Sequence, residues 1–330
     1  MTSIGKVQRQ GKMKYESKNA QKLHLSRKFT YEKVNAYHKK FIDKKTGKFF
    51  SYLTKKRNCP VCENSKSTPI FDKSGGTYVK CNKCTMIFLN PVFKDDALEK
   101  YYQNLDVGHA VVLKNEAKFF DEIYTRGLNI ISHSVKRGKI LDIGCSSGFF
   151  LDIAKRDGWQ TYGIELGKVE AEMCRKKGHM LYTKKLEDLN LDIKFDAITL
   201  WDVFEHLPNG KDQLKIFKKH LTPNGIIFLQ IPNSDALAAK ILREKCRMFD
   251  GIEHVNLYNP KTIKLAAQKT GLVINHLETV ISEIAVLNCY LSYKDPYFGT
   301  SNYTDKILNI LGEDFLHNNL LGYKMQILMS

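Results

Sequence analysis

The sequence predicts an α/β protein: a doubly wound, mostly parallel, seven-stranded sheet preceded by a small cysteine-rich module. Three observations carry this expectation. Apolar runs alternate with helix-period segments from Lys139 onward. A glycine-rich bend follows the first run, in "KILDIGCSSGFFLDIAK", Lys139 to Lys155. Two Cys-x2-Cys pairs stand before this body.

Each element has its own signal. "KILDI" is the first strand, and "SGFFLDIAKRDG" is a helix closed by Gly158. "WQTYGIEL" is a strand, "KVEAEMCRKKG" a helix closed by Gly178, and "MLYTKK" a weaker strand. "FDAITLW" is a strand, "KDQLKIFKKHL" a helix, and "GIIFLQI" a strand after the turn "TPNG". "PKTIKLAAQKTG" is a helix, and "LVINHLETV" and "YKMQILM" are the last strands. Parallel strands buried on both faces read as such continuous apolar runs. Strand–helix alternation with right-handed crossovers gives a doubly wound sheet, whose ligands bind outside the strands' carboxyl ends at the switch point. The bend at Gly144 therefore lies at that crevice.

At 330 residues, a prior of about 150 residues per domain suggests about two units. The expected division is a basic, partly helical arm over 1–58, a cysteine-rich module over 59–90, and a helical cap or linker over 91–136. The α/β body spans 137–330, with a helical insertion about 282–318. No apolar run approaches the roughly 18 residues of a membrane span. The N-terminal residues hold no apolar stretch fit for a signal peptide. A soluble, cytoplasmic chain is expected; its oligomeric state is not readable.

The formal charge is +17, and residues 1–58 hold 17 Lys and Arg against three acids, so +14 belongs to the arm. Such an arm can attract RNA or another anionic surface, or it can be a solvated face. Val34, Tyr37, His38 and Phe41 recur at helical spacing, so part of it reads as an amphipathic helix able to dock on the body.

Cys59 and Cys62 ("CPVC") and Cys81 and Cys84 ("CNKC") are separated by eighteen residues. Two such knuckles make a tetrahedral site of four thiolates, which selects Zn2+. With every position filled by sulfur, the metal is structural. The stretch "STPIFDKSGGTYVK" between them reads as strand, Gly-Gly turn, strand, a zinc ribbon. Cys145, Cys174, Cys246 and Cys289 have no partner spacing and read as packing residues.

The bend is Gly144-x3-Gly148, with Asp142 before it and Glu165 at the end of the second strand. A carboxylate beside the bend repels a diphosphate and suits a cation, while Glu165 can accept hydrogen bonds from ribose hydroxyls. S-adenosylmethionine carries that charge map: a sulfonium, an ammonium and a ribose. NAD fits Glu165 but not the bend.

"LDIGCSSGFFL", "YGIEL" and "FDAITLWDVFEHLPN" resemble the class I S-adenosylmethionine-dependent methyltransferases, a Rossmann-like family. Ser146 stands where that family often has glycine. The region "CPVC…CNKCTMIFLNPVFKDDALEKYY" resembles the zinc-binding module of a subset that often serves sugar and surface-polysaccharide pathways. The resemblance covers about residues 59–281. It implies that Asp142, Gly144, Cys145 and Gly148 line the methionine end of the donor and that Glu165 holds its ribose. It also implies that Leu166 packs on adenine, that Leu186 or Glu187 meets the adenine edge, and that Trp201 closes the pocket.

Methyl transfer needs an acceptor held in line and a base for its proton. Two histidines follow acids, Glu205–His206 and Glu253–His254. His206 can abstract protons or position the loop. Asp202, Glu205 and His206 could also hold a divalent ion, as in quinone-pathway O-methyltransferases that this stretch resembles. "FDGIEHVNLYNP" resembles the Glu-His…Tyr segment of sugar 3-C-methyltransferases, with Gly251 and Ile252 where that pattern has Tyr-His. His254 is the favoured base, Glu253 its neighbour, and Tyr258 either assists or packs. The expected function is methyl transfer to a small molecule, a sugar or nucleotide sugar. Rivals are an RNA methyltransferase tethered by the arm, a quinone-pathway-like O-methyltransferase, a non-catalytic scaffold and an NAD enzyme.

Overall fold

The computed structural model describes residues 17–103, 114–292 and 311–330. Its strands are β1 (Thr54–Lys55), β2 (Ser67–Lys73), β3 (Gly76–Cys81), β4 (Ile87–Leu89), β5 (Val92–Phe93), β6 (Lys139–Ile143), β7 (Gln160–Ile164), β8 (Met180–Tyr182), β9 (Phe195–Trp201), β10 (Leu221–Pro232), β11 (Asn256–Leu257), β12 (Ile274–Val280) and β13 (Lys324–Met329). Its helices are α1 (Ser17–Ser26), α2 (Lys28–His38), α3 (Asp95–Gln103), α4 (Lys114–Ser134), α5 (Phe149–Arg156), α6 (Lys168–Lys176), α7 (Gly210–Lys219), α8 (Leu237–Leu242), α9 (Pro260–Lys269), α10 (Ile284–Ser292) and α11 (Gly312–Asn318).

Seven strands form one sheet in the order β12-β13-β10-β9-β6-β7-β8. β6 to β10 run parallel, and β13 is antiparallel to both β10 and β12. All seven expected strands are present. β10 begins before the "TPNG" turn and is irregular between Leu221 and Ile226. Alternate side chains of each strand feed two cores. Leu141, Ile198, Leu200 and Leu229 pack with Leu214, Phe217, Ile263 and Ala266 of α7 and α9. Ile140, Ala197 and Phe228 pack with Ile123, Leu128 and Ile131 of α4 and with Phe150 and Leu151 of α5. The chain leaves β6 for β7 and β8, then returns to β9 on the other side of β6. The carboxyl tips of β6 and β9 therefore flank the switch point.

The cysteine module is the expected hairpin, β2 and β3, joined across Gly75 and Gly76. It continues into a sheet ordered β11-β4-β3-β2. β11 comes from the far end of the chain: Asn256 pairs with Phe88 and Leu257 with Ile87. The segment before it, 243–255, contains only the single turn Arg243–Lys245, and the module holds it in place. Arg57 donates from Nε to the Leu89 carbonyl (3.0 Å), from Nη1 to that of Pro208 (3.0 Å) and from Nη2 to that of Val255 (2.6 Å). Tyr78 donates its hydroxyl to the His254 carbonyl (3.1 Å) and accepts from the Gly251 N–H (3.2 Å). Gly251, at φ +93°, lies so close to Lys73 that a Cβ would overlap its carbonyl oxygen. After β11 the chain turns into α9 through a reciprocal cap: Asn259 Oδ1 accepts from Thr262 N and Thr262 Oγ1 from Asn259 N, both at 2.8 Å.

The described part of the arm is helical and docked. α1 packs on α10. His24 meets Glu283 at 2.9 Å, and Arg27 reaches Glu116 of α4 at 3.0 Å. Tyr37 and Phe41 pack with Phe93, Tyr101 and Ile252. The insertion is α10 and α11; its residues 293–310 lie outside the described residues, as do 104–113 of the expected cap. Among the described residues no helix is long and apolar enough to cross a membrane.

Arg57→Ala leaves three carbonyls from three segments without their charged donor. It is expected to cost about 2–4 kcal/mol of stability. Hydrogen exchange should show 250–257 opening before the central sheet, and equal protection throughout would contradict the clamp.

Candidate active site

The bend after β6 needs left-handed backbone at Gly144 (φ +73°), Ser146 (+49°) and Gly148 (+79°). A Cβ at Gly144 would sit 2.5 Å from Val203 Cγ2, and one at Gly148 2.8 Å from Cys174 Sγ. Glycine is thus required twice over, by conformation and by close approach. Glu165 fastens the bend to β7: its Oε2 accepts from Ser146 N (2.9 Å) and its Oε1 from Gly167 N (2.7 Å). Burial outweighs those donors and raises its pKa.

Asp142, within β6, lies near Glu165 and is 3% exposed. The register that sets Asp142 beside Thr199 lets the threonine hydroxyl donate to Oδ1 at 2.7 Å. Burial with that single donor pushes the carboxyl pKa well above its ordinary value. A cation at the bend would reverse this shift.

At the tip of β9, Asp202 (φ +57°) turns back toward the sheet. It pairs with Lys324 of β13 and accepts from Gln230 Nε2 at 3.4 Å. Its Oδ2 is thus engaged by β10 and β13, while its charge still acts on Glu205. Glu205 and His206 meet His254: one donor atom from each of Glu205, His206 and His254 lies within 4.8 Å of the others. Glu205 is fully buried, and neither carboxylate oxygen has a hydrogen-bond partner. Burial and the nearby Asp202 raise its pKa to about 8. The His206 and His254 rings stand edge to face, 4.9 Å apart.

His254 is oriented by its own loop. The Asp250 carboxylate accepts from the N–H groups of Ile252 (2.8 Å), Glu253 (2.9 Å) and His254 (3.1 Å), closing a tight turn. The Met248 carbonyl lies 2.8 Å from His254 Nδ1 and so accepts the ring proton there. In the neutral ring the lone pair is then on Nε2, which faces Glu205 at 4.0 Å. Burial lowers the imidazole pKa, but Asp250, Glu205, the Met248 carbonyl and Glu253 outweigh it, so the net shift is upward.

The other expected residues are distributed as follows. Cys145 is buried at the bend, its sulfur 3.8 Å from that of Cys174. Leu166, beside Glu165, is 57% exposed. Leu186 is buried, and Glu187 accepts from Gln213 at 3.0 Å. Trp201 sits among Tyr124, Phe150 and Phe228. Tyr258 stacks on Phe204 at 5.2 Å and is fully buried. Glu253 accepts from the Tyr101 hydroxyl at 2.7 Å. In the ribbon, Cys59 and Cys84 approach to 3.5 Å, as do Cys62 and Cys81, and one sulfur from each lies within 4.8 Å of the rest. Sequence reasoning missed Arg57, Tyr78 and Asp250. Only Asp250 left a local signal, the turn dipeptide Asp-Gly.

Residues 116–277 match the family model described as "Methyltransferase domain". The seven-stranded, mostly parallel sheet that contains them is the Rossmann-like fold of class I methyltransferases. Among curated relatives, the chain is similar to a ubiquinone biosynthesis O-methyltransferase of Pasteurella multocida, 26% identical over 140 residues, covering 37% of this chain and 55% of the relative. A protein of the same description from Chromobacterium violaceum is 27% identical over 136 residues, covering 38% and 58%. The chain thus spans about half the length of the curated relatives it matches. A solved S-adenosylmethionine-dependent methyltransferase from Archaeoglobus fulgidus is 18% identical and covers 65% of this chain and 96% of its own, at TM-score 0.45.

Because Asp142 is buried beside one donor, its charged form costs stability while no cation is present. Asp142→Asn is expected to stabilise the ligand-free chain at pH 7 by roughly 1–3 kcal/mol. The gain should shrink toward pH 4, where the unfolded carboxyl also keeps its proton. Thermal melts at both values check the sign.

Proposed function

We propose that this chain transfers a methyl group from S-adenosylmethionine to an oxygen or nitrogen of a small acceptor, a sugar or nucleotide sugar. The single observation that carries the reading is the shared sheet edge. The Gly144–Gly148 bend with Asp142 and Glu165 lies there, and the clamped His254 stands over Glu205 just beyond β9. The bound donor supplies a methyl already activated on a sulfonium. Asp142 favours the cationic end, Glu165 keeps lone pairs for ribose hydroxyls, and Leu166 offers an exposed apolar face to adenine. Leu186 and Glu187 border the adenine edge, while Cys145 and Trp201 back the pocket. His254 Nε2 takes the proton from the acceptor as the new bond forms, and Glu205 and Asp250 stabilise the imidazolium. His206 and Glu253 position that ring, and Tyr258 packs beneath them. The sugar assignment rests on the likeness of the ribbon-bearing region to sugar-pathway enzymes.

His254→Ala is expected to lower kcat by about 10²–10⁴-fold, with donor Kd nearly unchanged. Because the neutral ring is the base and its pKa is raised, kcat/KM should climb with pH through a limb above 6.5. A limb at or below that value would contradict the assignment. Labelled methyl appearing in transfer RNA rather than in sugar nucleotides would replace the acceptor class and give the basic arm the tethering role.

Zinc at Cys59, Cys62, Cys81 and Cys84 is part of this proposal. The converging sulfurs suit it, and the N–H of Lys83 points at the Cys81 sulfur at 3.4 Å. A second reading adds a divalent cation at Glu205, His206 and His254, favoured by the buried Glu205 carboxylate without a partner. Such an ion would bind and acidify an acceptor hydroxyl. Elemental analysis should give about one zinc per chain, and removing it should loosen 59–84 first. Turnover that a chelator abolishes and Mg2+ restores would favour the second reading; turnover indifferent to Mg2+ would leave His254 as the base.

A further inference from the structure

The arm and the catalytic loop meet in a buried chain of polar groups that the donor crevice does not use. His38, the last residue of α2, is 2% exposed, and its Nε2 lies 2.7 Å from the Tyr101 hydroxyl. Tyr101, on α3, is fully buried and donates that hydroxyl to Glu253 Oε1 at 2.7 Å. With the Tyr101 proton spent on Glu253, its oxygen accepts the proton on His38 Nε2. His38 Nδ1 has no hydrogen-bond partner, so this ring is neutral, as its burial also favours. The chain therefore offers Glu253 a directed hydrogen bond and no counter-charge.

The packing around the chain is continuous. Tyr37 donates to the Tyr101 carbonyl at 3.2 Å. Tyr37 and Phe41 of the arm pack with Phe93, Ala97 and Tyr101, and with Ile252 of the catalytic loop. Glu253 and His254 follow Ile252 directly, and all three N–H groups are gathered by Asp250. The arm thus roofs the loop that the ribbon holds from the other side.

We infer that His38 and Tyr101 are positioning residues for the His254 step, and that the basic arm completes the active site by fixing Glu253. This rests on the reading of His254 as the base. A tether could be cut or lengthened with little effect on chemistry; a roof bonded to the loop could not.

The groups facing His254 are Asp250 at 3.7 Å, Glu205 at 4.0 Å, the His206 ring, the Met248 carbonyl and Glu253. Asp250 and Tyr101 face Glu253, while Asp202 and Lys324 act on Glu205. Removing the Tyr101 hydroxyl leaves Glu253 buried without its donor, and the Ile252–His254 turn loses its bonded partner on the arm side.

The experiment is hydrogen exchange of the full chain, wild type against Tyr101→Phe, His38→Gln and the double variant, with kcat, acceptor KM and donor Kd on the same samples. In Tyr101→Phe the amides of 250–255 should exchange faster while the central sheet keeps its protection, and kcat should fall about threefold to tenfold while donor Kd holds. His38→Gln should shift both in the same direction by less, and the double variant should match Tyr101→Phe, as members of one chain do. Unchanged exchange at 250–255 in Tyr101→Phe overturns the inference whatever the turnover. Additive losses that track melting temperature overturn it as well. If the wild type methylates no sugar, the preceding reading fails while the exchange measurement still decides this one.

Discussion

The fastening of one irregular segment, 243–257, to the cysteine ribbon is the constraint on which the site depends. That segment carries His254, the proposed base, yet it has no helix or strand long enough to hold itself. Its order comes from outside: Arg57 spans the carbonyls of Leu89, Pro208 and Val255, Tyr78 bonds its backbone at two points, and β11 adds to the ribbon sheet. Asn256 extends the clamp by donating to the Leu207 carbonyl at 2.7 Å, just after His206. One guanidinium thus ties together the ribbon, the loop after β9 and the loop before α9. A planar cation with five donors can do this where an ammonium could not.

Along the same sheet edge, four carboxylates sit in four different environments, and the environment sets what each can do. Asp142 is buried beside a hydroxyl, which raises its pKa well above the ordinary value. Glu165 is pinned by two backbone N–H groups, so its orientation is fixed. Asp202 is bound to Lys324 and Gln230 through one oxygen, and its charge acts on the neighbouring Glu205. Glu205 has no partner except the neighbouring imidazole. Residue type alone would treat these four as interchangeable.

The arm shows how net charge can mislead about placement. Its +14 suggests an anionic polymer, but charge counts carry no information about which face docks. The docked contacts are made by particular residues: His24 with Glu283, Ser26 and Arg27 with Glu116, and His38 with Tyr101. Exposed lysines such as Lys33, Lys39 and Lys40 remain on the outer side, so a docked arm and a charged surface coexist.

By itself the sequence determined what is local. Continuous apolar runs marked all seven strands of the main sheet, Gly144 and Gly148 marked the bend, Glu165 marked the end of β7, and the paired cysteines marked the ribbon hairpin. Each is encoded within a few residues of its own position by backbone sterics, burial or ligand spacing. Tertiary structure alone decided the partners: β11 against β4, Lys324 on Asp202, Tyr101 on Glu253, and His254 with Glu205. These contacts join residues far apart in the chain, where hydrogen-bond geometry and burial exist only after the sheet has formed and no local periodicity records them.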